Sequence, residues 1–471
     1  MARETGGWGE LLSGQNAARS MALSGGVALH AINIYIATTL LPSVIEDIGG
    51  LELYAWNTTL FVVASILGSV LSAKLLQGTG PRGAYAVAAA VFLAGSLICA
   101  LAPSMPIMLL GRSVQGLGGG LLFALCYGMI QLVFEERLWP RAMALVSGMW
   151  GVATLVGPAI GGVFAELDAW RAGFAALVPL TLAYVLLTCR VLPRRDRAQV
   201  KVGRLPMLQL VLLAGAVLAV CASSASPLPG WNIAGIALAV VLVGLLIRHE
   251  SSAPTRLLPM HALRFSAPLC ALYATMGLLM IGMTSEIFVP YFLQTLHGQS
   301  PLLSGYLAAL MAAGWTLSEV LSSGWKDADV RRAIVAGPVL VLLGLVLLAL
   351  VAPRHGAGDW ALLGPICIAL TLVGFGIGLG WPHLLTRVLQ LASVEDQSAA
   401  ASSITTVQLF ATALGAALAG MVANLAGLSD PAGIEGTANA ARWLFAVFTL
   451  APLLAIATAV RSARIRVPAS S

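Results

Sequence analysis

Apolar runs long enough to cross a bilayer recur along this whole chain. They lie at about 19–43, 53–76, 83–102, 106–134, 142–165, 171–192, 205–225, 231–248, 265–295, 302–324, 331–352, 361–386, 397–426 and 440–461. A helix needs about 20 predominantly apolar residues to span the hydrocarbon core. Fourteen such runs leave little chain for anything else, so an all-α, polytopic membrane protein is expected. Composition agrees: 59% of the residues are hydrophobic and only 10% are charged, against about 25% charged in an ordinary soluble domain.

The basic residues set the orientation. With both termini cytoplasmic, 22 of the 26 Lys and Arg fall in cytoplasmic segments, six of them between 190 and 204. The exceptions are Arg112 inside a run and Arg171, Arg354 and Arg442 on the other side. Such a bias is the positive-inside pattern. It explains the net charge of +6 as topology and removes nucleic acid as a partner. The bias fixes an even number of crossings better than it fixes fourteen over twelve, because 205–225 and 231–248 can leave together without disturbing it. Residues 1–18 carry Arg3, Glu4 and Glu10 and no cleavable leader pattern, so the first run is expected to stay attached.

The chain also repeats. Gly116, Gly118 and Gly120 recur as Gly374, Gly376 and Gly378 at an offset of 258, and Thr154, Gly157 and Gly162 recur at the same offset as Thr412, Gly415 and Gly420. The expected organisation is a cytoplasmic segment 1–18, a six-helix bundle 19–192, cytoplasmic loops with a two-helix insert over 193–264, a second six-helix bundle 265–461 and a tail 462–471. In transporters built from such repeats the substrate site lies where the repeats meet.

Few polar residues enter the runs, and each needs a reason. A mid-membrane arginine costs about 3 kcal/mol on translocon scales. Arg112 is followed by Gln115 and by Gly116, Gly118 and Gly120, small residues that let a neighbouring backbone come close. Pairing with nearby carbonyls would make Arg112 a packing device; an intramembrane charge points rather to coupling or to substrate. Gly157-Pro158-Ala-Ile-Gly161-Gly162 reads as a kinked, tightly packed gate. Glu286 lies deep in 265–295, where a carboxylic acid stays neutral unless paired. Glu319 and His30 are the other candidate proton carriers. Asn33, Tyr35, Trp150, Tyr291 and Gln408 are candidate cavity-lining residues. The six cysteines all fall inside apolar runs with no metal-ligand spacing, so neither metal nor cofactor is expected. No nucleophile–base pair suggests an enzyme.

Taken together these segments resemble the major facilitator superfamily, and within it the fourteen-helix drug:proton antiporters. Arg112-Ser-Val-Gln115-Gly116-Leu-Gly118 resembles the motif of proton-coupled members, and Gly157–Gly162 the antiporter motif. Trp170-Arg171 and Gln299-Ser300-Pro301 also fit. The chain departs from the family pattern twice. Gln77 and Gly78 stand where the signature loop has an acid and an arginine, and Asn33 stands where an early aspartate is usual. The resemblance implies proton-driven export of amphipathic organic compounds by a monomer in the inner or plasma membrane. Arg82, Asp327, Arg331 and Arg332 would carry the cytoplasmic gate. The residues leave open solute uptake or symport, and a membrane sensor or scaffold that transports nothing.

Orientation is directly testable. In a cysteine-free background, a cysteine at Ser429 should react with an impermeant reagent added from outside, and one at Gln199 should not. The reverse labelling would overturn the assignment.

Overall fold

The computed structural model describes residues 7–193, 205–253, 256–259, 262, 264, 266–325, 327–356, 358–392 and 397–464. The basic residues Arg194, Arg195, Arg197, Lys201 and Arg204 lie outside these, as do Gln199, Lys326, Arg466 and the Asp327 side chain. Every regular element among the described residues is helical. Among the described residues, twelve helical stretches are long and apolar enough to cross a membrane. Two features separate this count from the fourteen runs expected. Residues 53–76 and 83–102 belong to one 50-residue stretch, Leu51–Ala100, broken at Gly80 (φ 72°, ψ 175°) immediately before Pro81. The other is Pro301–Ser322, a 22-residue helix that is not among the twelve and carries Thr316, Ser318 and Glu319.

The chain divides into two compact units, residues 1–49 with 60–205, and residues 50–59 with 206–471. The first contains α1 (Trp8–Leu11), α2 (Gly14–Ile48), most of α3 (Tyr54–Ala100), α4 (Met105–Val133), α5 (Trp139–Glu166), α6 (Trp170–Ala175) and α7 (Leu177–Val191). Within it α4 packs closely on both limbs of α3. A Cβ on Gly116 or Gly120 would collide with the carbonyls of Phe61 and Ser65, and one on Gly118 with the backbone of Phe92. Gly68 and Gly95 return the approach against Leu117 and Gln115. The spacing brings serine hydroxyls within reach of glycine carbonyls: Ser65 Oγ donates to Gly116 (3.0 Å) and Ser69 Oγ to Gly120 (3.2 Å). On the other side of the unit, α5 lies along α2. Gly157 sits against Tyr35, and Gly161 against Ile36 and Thr39. Pro158 and Gly162 are buried in the same helix.

Arginines tie the ends of this unit. Arg171 Nη1 meets the Asp47 carboxylate at 2.5 Å, Trp170 Nε1 donates to the same oxygen at 3.0 Å, and Arg171 Nη2 reaches the Ala102 carbonyl. At the opposite end Arg82 donates to the Leu192 carbonyl and Arg19 to that of Val133. Carbonyls in a helix's last turn lack intrahelical partners, and cations there are favourable.

The second unit contains α8 (Met207–Ser224), α9 (Pro229–Glu250), α10 (Pro268–Met283), α11 (Val289–His297), α12 (Pro301–Ser322), α13 (Asp327–Val351), α14 (Trp360–Leu391), α15 (Gln397–Leu425), α16 (Gly433–Phe448) and α17 (Leu450–Arg464). It repeats the wedge. Gly374 and Gly378 abut the α12 backbone at Met311 and Trp315, while Gly376 abuts Gly337 and Val341 of α13. The alternation is that of Gly116, Gly118 and Gly120. Gly415 of α15 presses on Ile281 and Thr284 of α10 and its continuation, as Gly157 presses on α2. Helices α8 and α9, set apart in the sequence as an insert, group with this unit, and Asn424 Nδ2 bonds the carbonyls of both Ser224 and Glu52.

The glycine rows give a prediction with two signs. Gly374→Ala drives a methyl into the Met311 carbonyl and should cost about 1–3 kcal/mol. Gly128→Ala, in the same setting of a helix interior but with no described neighbour within 4 Å of the new Cβ, should stabilise by about 0.5–1 kcal/mol. Thermal unfolding of the two purified variants in detergent should move in opposite directions; shifts of the same sign and size would refute the wedge.

Candidate functional site

In the first unit the Arg112 side chain is 2% exposed. It stays in the interior because α4 places it against two amide oxygens. Arg112 Nη1 donates to Gln115 Oε1 (2.5 Å), one helical turn on, and to Asn33 Oδ1 of α2 (3.4 Å). Arginine has donors only, so the Gln115 oxygen must face it and the amide nitrogen must face away. That nitrogen donates to Ser96 Oγ (2.9 Å), whose hydroxyl in turn donates to the Phe92 carbonyl (2.9 Å). The chain of bonds therefore has one direction, from guanidinium to a backbone acceptor on α3. The guanidinium carbon also lies 4.2 Å from the centroid of the Phe61 ring, a cation–π contact.

Phe61 joins this network to a second group. Its other neighbour is the His30 imidazole, stacked at 5.4 Å. His30 also approaches Phe123 at 5.4 Å and Trp150 at 6.2 Å, and Phe123 leads on to Tyr127 at 5.2 Å. His30 itself is 3% exposed, whereas Phe123, Tyr127 and Trp150 are half-buried and Ser147, bonded to Tyr127, is exposed. The Gly119 position leaves room for His30: a Cβ there would sit 2.6 Å from Nδ1, which has no hydrogen-bond partner among the described residues. An aromatic surface thus runs from the buried cation to accessible ground. Asn33, Gln115, His30 and Trp150 were legible as polar or aromatic breaks in apolar runs. Phe61, Phe123 and Ser96 were not, being ordinary residues of such runs until folding sets them beside Arg112 and His30.

Glu286 belongs to the second unit and is half-buried. It does not lie in a continuous helix. Thr284–Phe288 is a 3-10 turn between α10 and α11. The cause is local: Pro290 has no N–H to give the Glu286 carbonyl, and the N–H of Val289 bonds that carbonyl instead. Tyr291, also half-buried, packs with Tyr54 (5.6 Å) and Phe292, and Tyr54 stacks on Phe288 at 4.8 Å. Glu319 is elsewhere in the unit, accepting from Trp315 Nε1 (3.0 Å) beside the Trp315–Trp381 ring pair. Gln408 is half-buried on α15. Tyr35, on α2, is half-buried beneath Gly157.

Of the residues expected at a gate, Arg82 caps α7 as described. Arg331 and Arg332 are exposed on the first turns of α13, with Arg332 bonded to Asp329 (3.1 Å).

Comparison with known proteins places this architecture. The profile of the Major Facilitator Superfamily matches residues 23–325. A protein of Mycobacterium tuberculosis named as a probable multidrug-efflux transporter is 39% identical over 459 residues, covering 95% of each chain. The multidrug transporter protein MdtP of Bacillus subtilis is 24% identical over 429 residues, covering 87% of this chain and 76% of its own. Among solved structures, a bacterial homologue of the human lysosomal transporter Spinster superposes with a TM-score of 0.67 over 96% of this chain and 97% of that one, at 13% identity. A peptide transporter, POT, in complex with sulfate superposes with a TM-score of 0.69 over 94% of this chain and 95% of that one, also at 13% identity, which speaks for the fold alone. A family profile spanning more than half the sequence and a relative matched over nearly its whole length make this chain a member of the Major Facilitator Superfamily of membrane transporters.

Proposed function

We propose that this transporter exports amphipathic small organic compounds in exchange for protons, by alternating access. The observation that carries the reading is the likeness, over 95% of both chains, to a protein named for probable multidrug efflux. The geometry supports it in three ways. The aromatic surface of Phe61, Phe123, Tyr127 and Trp150 offers flat, apolar contact of the kind an amphipathic ring system needs, with one end near a cation. The break at Glu286 puts a titratable acid on irregular backbone, which membrane proteins tolerate where it is buried in protein or lines a water-filled cavity. The close packing of Gly157 and Gly161 on α2 suits the tight crossing expected of an antiporter gate.

In this reading Glu286 carries the proton. Arg112, held by Gln115 and Asn33, makes its release sensitive to substrate, and Tyr35, Tyr291 and Gln408 complete the cavity. Counting the stretch broken at Gly80 as two crossings and adding Pro301–Ser322 to the twelve apolar spans gives fourteen crossings, with both termini cytoplasmic. The protein works as a monomer, as two six-helix bundles and an inserted pair, without a cofactor.

The test is export into a medium of imposed pH gradient. Proteoliposomes holding the wild type should accumulate a lipophilic cationic dye such as ethidium when the gradient is applied. Glu286→Gln keeps the size of the side chain and removes its titration. It should reduce gradient-driven accumulation to that of empty vesicles while leaving downhill dye exchange measurable. Accumulation by Glu286→Gln at the wild-type rate would move the proton to Glu319 or His30. No accumulation by the wild type of any dye or drug in a panel would remove export itself.

A further inference from the structure

A groove of about 690 Å³ opens on the second unit between the amino-terminal turns of α13 and the carboxy-terminal turns of α17. Its foot is basic: Arg331 and Arg332 come from α13 and Arg464 from α17. Its walls are apolar, made by Val335, Val339 and Leu340 on one side and Val460 and Ala463 on the other. The apolar surface does not stop at the groove. On α13, Val339, Leu343, Val346 and Leu350 follow at spacings of four, three and four, share one face and are 37–61% exposed. On α17, Leu454, Leu453 and Leu450 are exposed above Val460 in the same way. From Arg331 to Leu350 the helix rises about 28 Å, close to the thickness of the hydrocarbon core.

We propose that this groove holds an anionic phospholipid, its phosphate among the three arginines and its acyl chains along the exposed faces of α13 and α17. The charge pattern selects the class. Three arginines border one end, and among the described side chains the acid Asp329 is bonded to Arg332, so the foot favours a ligand with net negative charge. Guanidinium forks match phosphate oxygens in pairs, and arginine is only weakly hydrated, so it suits the headgroup level of a membrane. The apolar walls select further. Inorganic phosphate would fill the foot and leave Val335, Val339 and Leu340 unused, whereas a diacyl lipid covers both. Basic pockets between transmembrane helices at the membrane surface are sites of this chemistry. The proposal gives Arg331 and Arg332 a role other than the gate expected of them, and it needs neither a transported compound nor an assigned direction of transport.

Native mass spectrometry of the purified full chain tests it, with phosphatidylglycerol and phosphatidylcholine of the same acyl chains as probes. Wild type should retain phosphatidylglycerol in preference to phosphatidylcholine. The combined variant R331Q/R332Q/R464Q should bind phosphatidylglycerol at least about tenfold more weakly, since each basic residue near a charged lipid adds to the attraction. The variant R248Q/R354Q/R442Q, which removes three exposed arginines elsewhere, should bind as wild type does. Unchanged binding in the groove variant would overturn the proposal, as would equal loss in the second variant, equal affinity for phosphatidylcholine, or displacement of the lipid by millimolar inorganic phosphate. Because the readout is binding in detergent, its failure leaves the transport reading untouched, and a failed transport assay leaves this one untouched.

Discussion

The approach of helix backbones at glycine is the constraint on which both units rest. In a membrane, apolar side chains gain little by leaving lipid for protein, so association depends on van der Waals contact and on hydrogen bonds across the interface. Side chains hold helices apart, and glycine removes that spacer. Gly116 and Gly120 open one face of α4 to α3 and Gly118 another, and α14 does the same with Gly374, Gly378 and Gly376. Once the backbones touch, the hydroxyls of Ser65 and Ser69 reach carbonyls that a side chain would have screened. The two effects reinforce each other, and the Arg112 network lies within the same wedge.

Ser65 Oγ is also within reach of the Phe61 carbonyl of its own helix (2.8 Å), and other hydroxyls in the membrane keep to that local course alone. Thr38, Thr59, Ser113, Thr181, Thr371 and Thr412 each donate to the carbonyl four residues earlier on their own helix. Such bonds satisfy the hydroxyl without any partner helix and so say nothing of tertiary structure. Ser96 does both: it donates to Phe92 and accepts from Gln115. That double use is why the Arg112 network can end on a backbone carbonyl rather than on an acid.

The sequence made the helical class legible, because hydropathy and charge bias act over whole runs of residues. It also displayed the glycine offset of 258, and in the structure the pairs Gly116 and Gly374, Gly118 and Gly376, Gly120 and Gly378, and Gly157 and Gly415 each press on a neighbouring helix. What it could not display was pairing between runs. Trp170 and Arg171 stood out as a dipeptide, yet their partner Asp47 lies just beyond the first apolar run and carried no signal of its own. Phe61 is one aromatic among thirteen phenylalanines, and only the fold sets it between Arg112 and His30. Glu286 was visible as an acid in an apolar run. Its 3-10 turn could have been read from Pro290, since the missing N–H falls four residues after the acid. Arg331 and Arg332 were visible as a charge run, but the groove they border was not, because its other wall comes from α17, over a hundred residues away.

The alternating glycine contacts have a mechanical side. Each wedge helix is engaged on two faces at once, α4 by the limbs of α3 before and after Gly80 and α14 by α12 and α13, largely through backbone atoms that do not change rotamer. Sliding α4 along α3 by one residue's rise, about 1.5 Å, would unseat Gly116 and Gly120 from the carbonyls they abut and pull Ser65 and Ser69 off theirs. Such a joint behaves like a toothed rack with its teeth seated. It resists shear along the helix axes while leaving the assembled unit free to tilt as a block. Flexibility is then left to the places without teeth: the break at Gly80, the 3-10 turn at Thr284–Phe288 and the connections between helices.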